Sequence, residues 1–167
     1  AEREGDSVQR QLTESGKVQT ISGTREAMIE SVALLNARGE PTEVVNVGQP
    51  VELRVSVCVN ADLPELVLGY VIKDRLGQPV FGTNTHHLKR KVVAVQRGAR
   101  LTYRLRFPAN LGVGTYSVAI ALHTADTHLS KNFEWRDLAL VFKVVNVDKA
   151  DFVGVVWLPP ELEVTDE

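Results

Sequence analysis

The side chains of this 167-residue chain that could do chemistry are four histidines, one cysteine and a scatter of carboxylates. The histidines stand as His86-His87 and as His123 with His128, and the second pair flanks Ala125-Asp126-Thr127, so its rings could meet across a hairpin. A zinc site needs three or four donors, and no cysteine and no carboxylate beyond Asp126 stands at ligand spacing. Surface or hydrogen-bonding histidines are therefore the expectation. A glycosidase needs two carboxyls facing each other across a cleft, and Glu65, Asp74, Glu134, Asp137 and Asp151 lie in or near loops, as in any chain of this size. Cys58 sits in mid-strand without a neighbouring base motif, which reads as a structural thiol rather than a nucleophile.

Nucleotide chemistry is missing as well. Around Gly16-Lys17 a P-loop would need glycine where Gln11 stands and Ser or Thr where Val18 stands. GxSxG, HExxH and paired-cysteine patterns are absent, so no metal, cofactor or catalytic residue is expected. Sugar binding asks for less, namely a ring to stack on and polar groups to satisfy hydroxyls. Trp135, in Phe133-Glu134-Trp135-Arg136-Asp137, has polar neighbours that would form a rim. Trp157, in Val155-Val156-Trp157-Leu158, reads as core or edge packing.

The elements that must position these groups are strands. Val51, Leu53, Val55, Val57 and Val59 share one parity, and Glu52, Arg54, Ser56, Cys58 and Asn60 the other. The same period places Leu66, Leu68, Tyr70 and Ile72 inward, then Leu101, Tyr103, Leu105 and Phe107, then Tyr116, Val118, Ile120 and Leu122. Leu138, Leu140, Phe142 and Val144 follow, with further strands expected near 27–36, 79–86, 91–96, 128–135 and 152–158. Turn residues punctuate them at Asn36–Gly39, Asp62–Pro64, Leu76–Pro79, Arg97-Gly98 and Leu111–Gly114. Successive short strands without intervening helices give an all-β antiparallel sandwich, with a barrel as the minor alternative, and exclude an α/β nucleotide crevice.

One strand departs from the usual alternation of apolar and charged. Opposite Tyr116, Val118 and Ile120 stand Ser117, Ala119 and Ala121, and Gly69 beside Tyr70 is similar. If these strands are neighbours, their outer face is a shallow trough that another surface can approach closely, unless a loop or terminal segment covers it.

Composition narrows the partner. Nineteen Lys+Arg against 21 Asp+Glu leave a formal charge of -2, which argues against nucleic acid or acidic lipid read by bulk charge. The start Ala1-Glu2-Arg3 lacks the basic and apolar regions of a secretion signal, and no apolar run approaches the ~20 residues of a membrane span. Residues 1–24 read as a polar linker with at most a short helix, 25–160 as the folded body and 161–167 as an acidic tail.

The stretches 67–85 (VLGYVIKDRLGQPVFGTNT), 106–123 (RFPANLGVGTYSVAIALH), 133–145 (FEWRDLALVFKVV) and 152–160 (FVGVVWLPP) together resemble one family. It is the C-terminal domain of the ATP-binding subunit, Wzt, of O-antigen polysaccharide exporters. The most telling marker is Phe81–Thr85 following Asp74-Arg75-Leu76-Gly77.

The resemblance implies an immunoglobulin-like sandwich that binds the export-ready O-antigen polysaccharide, often at its non-reducing end, and has no catalytic role of its own. It also implies a linker from an N-terminal ATPase domain and a membrane-spanning exporter subunit as partner at the cytoplasmic face of the bacterial inner membrane. Family members form homodimers with an exchanged terminal strand, for which 152–158 is the candidate here. The residues chosen for glycan contact come from strand parity: Gly69, Ser117 and Ala119 as floor, Lys73, Asn84, His86 and His123 as hydroxyl partners, and Trp135 as stacking wall. Phe81 is expected in the core. The rival reading is a purely structural or dimerisation sandwich.

Overall fold

The computed structural model describes residues 7–12, 18–125 and 131–166. His128 and Asp126, two of the three residues of the imagined metal set, lie outside them. Among the described residues eleven strands follow one another: β1 (Ser7–Leu12), β2 (Val18–Gly23), β3 (Ala27–Leu35), β4 (Val44–Asn46), β5 (Pro50–Val59), β6 (Leu63–Lys73), β7 (Pro79–Asn84), β8 (Val92–Val95), β9 (Arg100–Pro108), β10 (Gly114–His123) and β11 (Asn132–Val145). The larger sheet runs β1-β2-β11-β10-β6-β7, with β4 alongside β11 and β8 alongside β6, and the smaller is β3-β5-β9. All pairings are antiparallel except β4 with β11. The fold is an all-β sandwich.

The period of two does most of this work. Val51, Leu53, Val55, Val57 and Val59 of β5 meet Leu66, Leu68, Tyr70 and Ile72 of β6 and Tyr116, Val118, Ile120 and Leu122 of β10 in one core. At about 1.5–3 kcal/mol per buried aliphatic side chain, this alternation outweighs any local charge conflict on the outer faces. The buried Tyr116 hydroxyl donates to the Gly112 carbonyl at 2.7 Å, four residues upstream. That closure at the start of a strand resembles the tyrosine corner of immunoglobulin-type sandwiches. In the β6–β7 hairpin the Asp74 carboxylate accepts the N–H groups of Leu76 and Gln78 at 2.9 Å each, fixing the turn that delivers Phe81–Thr85.

Four expectations need correction. Where a polar linker with at most a short helix was expected, Ser7–Leu12 and Val18–Gly23 form an antiparallel pair, and Ser22 and Ile21 align with Trp135 and Arg136 of β11. Buried Ile21 anchors this pair, and Gly23, at φ +134°, lies where any Cβ would clash with the Phe133 carbonyl. Within the described residues, the strands expected at 128–135 and 138–145 are one strand, β11, interrupted by a bulge, while 128–130 lie outside those residues.

Residues 152–158 form no strand in this chain. They run beside Leu111, held by the Val156 bridge and by bonds from Gly112 to Val155 and from Trp157 to Asn110. Phe81, expected in the core, is 54% exposed. It has the inward parity of its partner Ile72, but β7 overhangs a smaller sheet only three strands wide. Trp157 packs at the edge as expected, its ring 4.8 Å from that of Phe152.

Candidate functional site

The register of the larger sheet lines up one row of residues across four strands. Asn84 of β7 pairs with Gly69 of β6, Gly69 with Ala121 of β10, and Ala121 with Trp135 of β11. All four face away from the core. With strands ~4.8 Å apart, Asn84 and Trp135 stand as walls roughly 14 Å apart across a floor with almost no side chains. The next row carries Gly82, Val71 and Ala119, and the one after it carries Lys73 and Ser117. These rows form a shallow concavity of about 380 Å³ whose lining includes Gly69, Asn84, Ala119, His123 and Trp135.

The remaining three predicted residues sit differently. Lys73 and Ser117 share the face one row on, and Ser117 is buried. His86 lies in the exposed turn after β7, while its neighbour His87 lines the concavity and donates its backbone N–H to Asn84 Oδ1 at 2.8 Å. Parity could not choose between these two histidines, because alternation ends with the strand at Asn84. The lining residues Val71, Gly82 and Thr83 were also missed, although Gly82 shares the parity of Asn84.

A bulge shapes the far end of the trough. Val118 pairs with Leu140 and Ile120 with Arg136, so Asp137, Leu138 and Ala139 all stand opposite Ala119. Leu138 takes φ +47°, a conformation that costs energy in a leucine and that bulges impose. The bulge carries Asp137 to 3.5 Å from the Lys73 ammonium, which also stands 5.7 Å from the centroid of the Trp135 ring. One indole face is thus covered by a cation at roughly 0.5–1 kcal/mol of attraction. Ala119 itself is only 1% exposed.

The polar rim expected around Trp135 is only partly there. Glu134 and Arg136 carry the inward parity, and Glu134 is fully buried between the sheets. Its carboxylate accepts from the Ile29 N–H at 3.3 Å and meets the Arg136 guanidinium, which also donates to the Ile29 carbonyl. Burial pushes the Glu134 carboxyl above its ordinary range, and Arg136, the Ile29 N–H and Arg25 oppose that rise without cancelling it. This pair bolts β11 to β3 behind the trough.

Of the other carboxylates considered for catalysis, Asp151 is exposed and the remaining three are engaged. Glu65 accepts from Lys91 and from the Ala125 N–H, Asp74 closes its turn, and Asp137 pairs with Lys73. Among the described residues no cluster of three or more His, Cys, Asp or Glu could hold a metal, and no helix is long and apolar enough to cross a membrane.

The open face of the larger sheet is thus floored with glycine and alanine and edged by an indole, an amide and imidazoles. A family model described as the Wzt C-terminal domain matches residues 18–158, and the chain belongs to that family. It is a non-catalytic domain of polysaccharide-export transporter subunits. A crystal structure of the C-terminal domain of Wzt superposes with a TM-score of 0.79 at 20% identity, covering 88% of this chain and 89% of that one.

More distant resemblances carry no weight. A Niemann-Pick type C2 protein from the Japanese carpenter ant gives a TM-score of 0.49 at 8% identity, with 71% of this chain and 92% of that one covered. An alkylpurine DNA glycosylase from Pseudomonas fluorescens gives 0.44 at 14%, with 71% and 30% covered. No curated protein sequence matches the chain significantly.

Proposed function

We propose that this domain binds the O-antigen polysaccharide carried by its exporter, with the non-reducing end of the polymer lying in the trough between Asn84 and Trp135. The observation that supports this reading is the row Asn84–Gly69–Ala121–Trp135, in which two bare floor positions separate an amide from an indole. A pyranose ring needs a flat apolar surface for its C–H face and polar atoms at its edge, and it needs no electrostatic potential. A formal charge of -2 suits such a neutral partner. In the parent subunit the domain would follow an ATPase domain and work beside the membrane-spanning exporter subunit at the cytoplasmic face of the inner membrane.

A dimer contact is the second reading, and a separate region favours it. Phe81, Leu88 and Val156 edge an apolar groove of about 460 Å³ under the β7 overhang, and Leu158, Leu162 and Val164 of the tail are exposed. Homodimerisation through that region leaves the trough free, so both readings can hold together.

Calorimetric titration with the lipid-free O polysaccharide of the source bacterium, paired with the mass of the particle by light scattering, tests the proposal. Ala121→Arg fills the floor at a half-buried position. It should abolish binding while the oligomeric state persists. Loss of the oligomer instead would mean that the trough is a subunit contact.

A further inference from the structure

Two side chains beside Gly69, His123 and Asn84, carry polar atoms of opposite hydrogen-bonding role. His123 Nδ1 lies 2.9 Å from the Thr124 carbonyl oxygen. A carbonyl only accepts, so Nδ1 carries the proton, and the neutral ring presents Nε2 as a bare acceptor. That atom lies over the trough floor, 3.7 Å from where a Cβ on Gly69 would stand.

On the other side, Asn84 Oδ1 accepts the His87 backbone N–H, which fixes the amide orientation and leaves Nδ2 as a donor. Asn84 Cβ is 3.3 Å from the same Gly69 position. The imidazole that carries the acceptor and the side chain that carries the donor therefore stand on either side of the slot over Gly69, which lines the concavity.

Only a group that donates and accepts at once satisfies both atoms. The geometry points to a free sugar hydroxyl seated above Gly69, donating to His123 Nε2 and accepting from Asn84 Nδ2. His123 and Asn84 are then the specificity-determining pair of the face. An ether oxygen at that position cannot donate to Nε2, and a carboxylate would confront its lone pair, so the pair selects an unsubstituted hydroxyl over an O-alkyl or acidic substituent. This inference rests on the trough being the glycan site, and it adds which functional group of the glycan is read there.

Two variants and one spectrum test it on the full chain. Asn84→Asp keeps the acceptor for the His87 N–H and turns the free donor into an acceptor, and His123→Leu removes the acceptor. Each should weaken binding of the lipid-free O polysaccharide by roughly tenfold or more, while His123→Gln, whose amide oxygen can accept, recovers part of the loss. Long-range ¹⁵N spectra should show the Nδ1–H tautomer at His123 in the free chain and a shifted Nε2 resonance on saturation with the polysaccharide.

If wild-type chain binds and both variants match it within twofold, or if the free ring is Nε2–H, the hydroxyl pair is wrong and the glycan face stands. If wild-type chain shows no binding to that polysaccharide, the reading of the face fails and the inference with it.

Discussion

The two sheets turn contrasting outer faces to their surroundings, although both are built from alternating strands of similar length. On the smaller sheet the outward row runs through Glu52, Arg54, Arg100, Arg104 and Arg106, with Arg54 directly opposite Arg104 and Glu52 opposite Arg106. Glu52 is gripped by Arg54 at 2.6 Å and by Arg106 at 2.9 Å. This is a solvated face. The like-charge opposition of Arg54 and Arg104 costs some fraction of a kcal/mol and is tolerated because the core beneath supplies far more.

On the larger sheet the equivalent positions are Gly69, Gly82, Ala119 and Ala121. Long charged side chains hold water and sweep out volume, whereas glycine and alanine leave backbone bare for a ligand to approach. The two faces differ in that alternation gives small residues on one and charges on the other, and this difference is what puts the proposed glycan face on the larger sheet.

The contrast can be broken by exchanging the character of the faces. Ala121→Arg should bring polysaccharide binding below calorimetric detection, whereas Thr102→Arg, on the outer face of the small sheet, should leave it intact. Removing the wall is milder. Trp135→Ala should weaken binding roughly threefold to tenfold and free the Lys73 ammonium from the indole, with the melting temperature little changed. Quenching of indole fluorescence by the polysaccharide would report the same contact.

Two of the buried carboxylates, Glu52 and Glu134, sharpen the comparison through pH, because their shifts have opposite signs. Burial tends to raise the Glu52 carboxyl, but Arg54 and Arg106 outweigh it and hold the group below its usual range. Its contribution is present above the unfolded value and is lost as pH falls through the folded pKa. Glu134, raised by burial, behaves oppositely: its contribution is complete below the unfolded value of about 4.5 and is lost as pH rises through the folded pKa. Denaturant midpoints measured across this range should therefore show Glu134→Gln gaining on wild type as pH rises above about 4.5, and Glu52→Gln gaining on wild type as pH falls into the acid range. The smallest effect concerns the solvated face itself, where Arg104→Ala should change neither affinity nor its insensitivity to salt.

Much of this arrangement could be read from residue order. The valines of β5 and the Ser117-Ala119-Ala121 parity of β10 depend only on the period of a strand, so the core and the bare floor followed directly. What escaped depends on three-dimensional context. β1 and β2 are polar, and they become strands because an edge of β11 is available to receive them.

The inward parity of Glu134 and Arg136 looked like a polar rim because nothing local announces that the Ile29 backbone satisfies them across the sandwich. The choice of His87 over His86 is set by a turn held by Asn84 Oδ1, beyond the reach of alternation. Phe81 has core parity and lies exposed because the sheets differ in width. The contact of His123 Nδ1 with the Thr124 carbonyl, on which the proposed acceptor role rests, is one that no spacing encodes.

The most direct test of the central claim is to map the bound polymer on the backbone. Amide and indole resonances of the full chain should be followed by NMR during titration with the lipid-free O polysaccharide. Shifts concentrated at Gly69, Asn84, Ala121, His123 and the Trp135 indole N–H, with Arg54 and Arg104 unmoved, are the result expected. Shifts centred on the arginine face, or none at saturating polysaccharide, would contradict it.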